Sequence, residues 1–188
     1  MWCGFECRHL GRHPLIIETE RLILRSFRLA DAAAVHAYGS DPEVSRYTDG
    51  GPNTWEDTLR FLQDAVRPVP PKIQLGVTLR GDDAVVGGVG AWPVSEGRWE
   101  MSWGLRRDRW GKGYATEATR AVFDVVAGRA EVRTIGARCR PENGGSARVM
   151  EKLGMQFVEL LPRAREVAGE WRDTEVYEVT LPRADVPA

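Results

Sequence analysis

Arg106-Arg107-Asp108-Arg109-Trp110-Gly111-Lys112-Gly113-Tyr114-Ala115 is the stretch on which the reading of this chain turns. A strand-like run, Trp99–Leu105, ends just before it. A helical pattern begins inside it, with Ala115, Ala118, Val122 and Val125 on one face. Gly111 and Gly113 let the backbone come close to a ligand. The first N–H groups of a helix have no intrahelical partner, and the helix dipole places partial positive charge there. Such a terminus is suited to phosphate. Arg106, Arg107, Arg109 and Lys112 add electrostatic attraction. The plainer alternative is a solvated basic turn with a glycine start, and spacing alone leaves both open. Two other phosphate motifs are excluded. A P-loop needs Ser or Thr after Gly-Lys, whereas Lys112 precedes Gly113. Gly87-Gly88-Val89-Gly90 runs into Ala91-Trp92-Pro93 and not into a helix, so it fails the context of a dinucleotide fingerprint. Those glycines read as strand positions at a bulge or a close packing contact.

Working outward, Leu15 to Phe27 reads as a strand and Asp31 as the N-cap of a helix from Ala32 to Tyr38. Asp41-Pro42 breaks that helix, and Gly50-Gly51-Pro52 marks a loop. Thr54 and Asp57 suggest a second helix start, with Asp in the place of the usual Glu or Gln. Trp55, Leu59, Leu62 and Val66 follow at helical spacing until Pro68, Pro70 and Pro71. Ile73–Leu79 and Val85–Ala91 form a hairpin joined at Gly81-Asp82-Asp83. Beyond the central helix come a strand, Val132–Arg138, and a helix, Ser146–Leu153, closed by Gly154. Met155–Leu161 and Trp171–Leu181 are the last strands. The order βααβββαβαββ predicts a mixed α/β domain.

Composition sets the bounds. The 188 residues suit one domain, with hydrophobic residues at 43%, charged residues at 28% and a net charge of −1. Nothing in this balance points to nucleic acid or to a membrane surface, and no apolar run approaches the roughly 20 residues of a membrane span. Residues 1–14 read as a flexible N-terminal extension, 15–182 as the domain and 183–188 as a C-terminal tail. Cys3, Cys7, His9 and His13 match no strong zinc spacing, so no metal is expected. Cys139 stands alone in a predicted strand as a small core residue. Without a disulfide framework or a secretory apolar stretch, a reducing, cytoplasmic setting is expected.

The arrangement resembles the GNAT superfamily of acyl-CoA-dependent N-acetyltransferases. Its cofactor loop, Q/R-x-x-G-x-G/A, is matched by Trp110-Gly111-Lys112-Gly113-Tyr114-Ala115, with Trp110 departing at the first position. Thr19-Glu20-Arg21-Leu22-Ile23-Leu24-Arg25, then Leu29-x-Asp31 and Asp41-Pro42-Glu43-Val44, resemble the RimJ/RimL branch, which acetylates N-terminal α-amino groups of ribosomal proteins. Asn143-x-x-Ser146 followed by Glu151-Lys152-Leu153-Gly154-Met155 completes that signature.

The resemblance implies a mixed sheet whose middle strands splay apart. Trp103, Gly104 and Leu105 would offer backbone groups to the pantetheine arm of acetyl-CoA, the co-substrate. Trp110, Gly111, Lys112, Gly113, Tyr114 and Ala115 would hold the pyrophosphate. Asn143 would bind the pantetheine while also serving as a turn or helix-entry residue. Glu100 is the expected general base; otherwise it is an exposed strand residue paired with an arginine. Many relatives carry a proton-donating Tyr where this chain has Met150. Ser146, or water it orders, is then the expected proton source for the thiolate; otherwise it serves the helix terminus. The acceptor pocket would draw on residues 38–47, the loop at 50–52 and the final hairpin. Trp92, Trp99, Trp103 and Trp171 are candidate lining residues, at least two of them core. The expected reaction is direct attack by an amine, of a peptide N-terminus or a small molecule, in a ternary complex with a monomer or homodimer. An antibiotic or polyamine acetyltransferase, or a catalytically silent acyl-CoA sensor, are the alternatives.

Overall fold

The computed structural model describes residues 15–48, 50–167 and 169–182. The readings placed on Cys3, Cys7, His9, His13 and the two terminal extensions lie outside them. Eight strands form one sheet in the order β1-β2-β3-β4-β5-β6-β8-β7. They are β1 (Ile17–Glu18), β2 (Leu22–Ser26), β3 (Ile73–Leu79), β4 (Asp82–Ser95), β5 (Arg98–Leu105), β6 (Thr134–Cys139), β7 (Gln156–Val167) and β8 (Glu170–Thr180). The helices are α1 (Ala32–Gly39), α2 (Pro42–Ser45), α3 (Trp55–Ala65), α4 (Tyr114–Ala127) and α5 (Gly144–Lys152). Every neighbouring pair is antiparallel except β5 and β6, which run parallel and are joined through α4.

The mixed α/β architecture is as expected, and the differences from the expected element order are local. The single strand Leu15–Phe27 is two short strands, because the Thr19 hydroxyl accepts the Leu22 N–H at 3.0 Å and closes a turn. Asp41-Pro42 ends α1 but also starts α2: Asp41 Oδ1 accepts the Glu43 N–H at 2.9 Å, and proline is suited to the first helical position. Asp31 does not cap α1 with its side chain. Its carboxylate is taken by the Arg28 N–H and by a two-pronged contact from the buried Arg25, both prongs at 2.9 Å. Thr54 and Asp57 make the full reciprocal box despite the shorter acid. β4 runs past Ala91 through Pro93, since its pairing with β3 has already ended at Ile73↔Ala91 and the ring nitrogen there owes no ladder bond.

Two hydrophobic clusters flank the sheet. The larger joins α4 and α5 to β2–β6, with Leu24, Val89, Met101, Val122, Ile135 and Met150 among its fully or nearly fully buried members. Cys139 belongs to it, and burial beside Glu175 pushes its thiol pKa up to about 12, so the sulfur stays protonated. The smaller cluster, Phe27, Val35, Leu62, Ala65 and Val85, lies under α1 and α3 on the opposite face. Phe27 rests on glycines of β3 and β4: a Cβ at Gly76 or Gly88 would stand 3.2 or 3.1 Å from its ring. That cluster includes no residue of β5, β6 or β8. The face of those strands opposite α4 and α5 is therefore not part of either core, and this placement creates the site.

Candidate active site

The parallel ladder between β5 and β6 ends at Met101↔Ala137. Ser102–Leu105 continue beside β4 alone, with Gly104 opposite Gly88 and Leu105 opposite Gly87. The middle strands thus part from Ser102 onward. Side-to-side alternation of backbone groups along a strand decides what faces the gap. The Arg106 N–H donates to Val86 at 2.8 Å, so the even-numbered residues of β5 serve β4 and the odd-numbered ones turn toward β6. The Trp103 N–H and C=O consequently open into the splay. The Leu105 carbonyl would too, but Trp110 Nε1 donates to it at 2.8 Å. Gly104 turns its backbone to β4, and what it offers is room: a Cβ there meets nothing within 4 Å.

The loop that follows returns to the N-terminus of α4. Gly111 and Gly113 take φ of +71° and +81°, the left-handed region that favours glycine. Gly113 caps α4 without a side-chain bond, leaving the first-turn N–H groups directed outward. Trp110 is folded back onto Leu105, so the departure from Gln or Arg has become an internal brace. Of the four basic residues, Arg106 and Arg109 are paired with Asp108. Arg107 and Lys112 keep their charge without a side-chain partner among the described residues.

This terminus is anchored by residues whose role the sequence did not reveal. Glu117, in the first turn of α4, accepts from the Thr19 hydroxyl at 2.6 Å, the Arg21 N–H at 2.9 Å and Arg21 Nε at 2.7 Å. Arg21 Nη1 reaches the Lys112 carbonyl at 3.0 Å, and its guanidinium lies 4.7 Å from the Tyr114 ring centroid. Desolvation works against the Glu117 charge, but the bonds from Thr19 and Arg21 outweigh it and hold the carboxyl below its ordinary range. The Thr19–Arg21 motif thereby fixes the β1–β2 turn to the glycine loop and the first turn of α4.

Asn143 accepts the Ser146 N–H at 3.1 Å and so caps α5, as its helix-entry reading requires. The Ser146 hydroxyl makes no hydrogen bond to a described residue. Met150 is fully buried in the larger core, away from solvent.

On the open face, Glu100 lies beside Arg138, with Oε2 3.2 Å from Nε. Sequence had left an arginine partner open without naming it. Arg98 pairs with Glu178 next to them. Val94, Arg98, Glu100, Gly136, Arg138 and Glu178 line a hollow there. Trp92 stands opposite Glu100 on β4 and shares this face. Trp99 is buried and Trp103 packs on the core, so two of the four tryptophans are core side chains; Trp171 is exposed on the final hairpin. Arg140 clamps the loop after α2, donating to the carbonyls of Arg46 and Thr48 at 2.8 Å each. Arg138 eluded sequence reasoning because its partner is set by the parallel register, and Arg140 because its partners lie in a loop distant in sequence; no local spacing encodes either.

The acetyltransferase (GNAT) domain profile matches residues 21–156. An uncharacterized N-acetyltransferase, YnaD of Bacillus subtilis, is 32% identical over 164 residues, covering 87% of this chain and 95% of that protein. A GNAT-family acetyltransferase structure from Bacillus anthracis superposes with a TM-score of 0.80 at 32% identity, covering 88% of this chain and 98% of that one. RimL, a ribosomal L7/L12 α-N-protein acetyltransferase solved with coenzyme A, shares the fold with a TM-score of 0.77 at 16% identity, covering 88% of this chain and 98% of that one. Among the described residues no helix is long and apolar enough to cross a membrane, and no group of His, Cys, Asp or Glu is placed to hold a metal.

Proposed function

The chain belongs to the GNAT family and is an acetyl-CoA-dependent N-acetyltransferase; we propose that it acetylates a primary amine, a peptide N-terminus or a small molecule, by direct attack in a ternary complex. One observation carries this reading. The splay beyond Met101↔Ala137 leads to an unoccupied-by-side-chain helix terminus on one side, and Glu100 stands on the open face of the same strand on the other.

Residues 110–115 would receive the pyrophosphate through backbone N–H groups, with Lys112 adding charge. The Trp103 N–H and C=O would pair with the pantetheine arm, with Gly104 and Leu105 shaping the gap. The side-chain amide of Asn143 would meet the same arm while its oxygen caps α5. The acceptor would enter over Glu100. An α-amine titrates at about 7.7–8 against about 10.4 for Lys, so one carboxylate acting through water suffices to take its proton. Ser146, or water beside it, would return a proton to the departing thiolate, since Met150 has none to give.

Thiol release from acetyl-CoA in the presence of an amine panel tests this. Amine-dependent release by the wild-type protein is expected. Acetyl-CoA binding without release on any amine would instead favour a silent acyl-CoA sensor.

A further inference from the structure

The open face holds two ion pairs that differ in what they leave over. Arg98 and Glu178 are hydrogen-bonded to each other. Arg140 has both terminal nitrogens on carbonyls. The Arg138 Nε lies 3.2 Å from Glu100 Oε2, and neither side chain makes a hydrogen bond to a described residue. The Arg138 side chain is 45% exposed, and Glu100 is 23% exposed. Arg138 is also the first residue of β6 past the last β5 pair, so it stands at the mouth of the splay, where an acceptor must approach a thioester.

We propose that Arg138 is a specificity-determining residue, and that the acceptor is a compact primary amine bearing a carboxylate or phosphate a few bonds away. This rests on the reading of Glu100 as the base. The free edge of a guanidinium matches the two oxygens of a carboxylate or phosphate, and that fork is what Arg138 has unused. The Glu100 carboxylate beside it takes the ammonium or the water that deprotonates it. The anion holds the amine over Glu100, and the pair orients one small zwitterion. The same geometry opposes polyamines. A polycation would meet two guanidiniums, Arg98 and Arg138, for the two carboxylates of the hollow, Glu100 and Glu178, and so gain no net attraction there.

The test compares acceptors in matched pairs: a dipeptide with an acidic second residue against its amidated neutral counterpart, and phosphoethanolamine against ethanolamine, with spermidine alongside. In wild type, kcat/KM is expected to favour the anionic member of at least one pair about tenfold or more, the scale of a charge-assisted contact. The pair that shows it distinguishes carboxylate from phosphate. Arg138→Gln should bring that ratio near one, whatever the loss of the Glu100 partner does to both members alike, and Arg138→Lys should fall between, keeping charge without the fork. No preference in wild type, spermidine as the best acceptor, or equal loss on both members of a pair would overturn the proposal. A second measurement separates it from the function it rests on. With coenzyme A present, the anionic amines should raise the melting temperature of wild type but not of Arg138→Gln. That shift without any turnover would sink the transferase chemistry and keep the anion site. Absence of the shift would sink the anion site.

Discussion

The two halves of the site are made differently. The proposed cofactor half is backbone: the Trp103 amide, the N–H groups of residues 111–115 and the start of α4, all within one continuous stretch from β5 to α4. The proposed acceptor half is side chains: Glu100 from β5, Arg138 from β6 and Glu178 from β8. The first is braced by hydrogen bonds within the protein, Trp110 to Leu105 and Arg21 to Glu117. The second leaves the Glu100 and Arg138 side chains without hydrogen bonds, and such groups in a cleft are what a ligand can complete. A variant in the cofactor half should therefore lower acetyl-CoA binding. A variant in the acceptor half should lower turnover and spare acetyl-CoA binding.

Gly113→Asp should have the largest effect. It sets a carboxylate against the pyrophosphate at a position whose φ of +81° already disfavours a side chain. Two like charges about 4 Å apart at an intermediate dielectric repel by about 4 kcal/mol, close to a thousandfold in affinity. The acetyl-CoA-induced rise in melting temperature should vanish in a protein that still unfolds cooperatively. An unchanged rise would remove the phosphate assignment and with it the comparison.

Glu100→Gln comes next and tests the other half. It keeps shape and removes the proposed base, so turnover near neutral pH should fall about a hundredfold, the lower range for general-base catalysis. The acetyl-CoA melting shift should stay as in wild type. Part of the loss should return as pH rises, because the free amine fraction grows without help from a base. Wild-type rates at every pH would transfer the proton to another group or to solvent.

Glu117→Gln probes the brace between β1–β2 and α4. The Glu117 carboxyl is held below its ordinary range in the folded protein. Its stabilisation is therefore present above the unfolded carboxyl pKa and is lost as pH falls through the lower folded value. With Arg21 partly exposed, the loss at pH 7 should be about 1–2 kcal/mol. The melting-temperature gap from wild type should close as pH drops below about 4. A gap that persists in acid would mean that the lost interaction is packing and not charge.

The same contrast explains what the sequence could show. Gly111 and Gly113 shape the loop through local backbone, so their spacing is readable in the sequence. The expected helix start appears at Tyr114, preceded by Gly111 and Gly113 in the left-handed region. Turn chemistry was less legible: Thr19 splits a strand through one hydroxyl, and Asp31 prefers a buried Arg25 to the helix it precedes. The acceptor face was legible only as far as Glu100. Which residue lies beside it depends on β5 and β6 pairing in parallel with Glu100↔Gly136, after a crossover through α4. A shift of one residue in that register would have turned Arg138 to the other face.

The smallest effect belongs to the group least committed by its surroundings. The Ser146 backbone N–H is satisfied by Asn143, and its hydroxyl makes no hydrogen bond to a described residue. Ser146→Ala should therefore leave the cap and the melting temperature intact. It should slow turnover by only about threefold, because a thiol titrating near 8.5 leaves as a thiolate that water readily protonates. Restoring a tyrosine at position 150 is not the complementary experiment that the resemblance first suggests. Met150 has no exposed surface and sits in the core with Val149, Leu153 and Ile135. Met150→Tyr would force a larger ring and a hydroxyl into that packing, at a cost of about 1–3 kcal/mol. A stable Met150→Tyr protein with faster turnover would show that the core opens there when the co-substrate binds. A hundredfold loss in Ser146→Ala, with acetyl-CoA binding unchanged, would show that the thiolate depends on a fixed donor and that the hydroxyl is held in place only in the ternary complex.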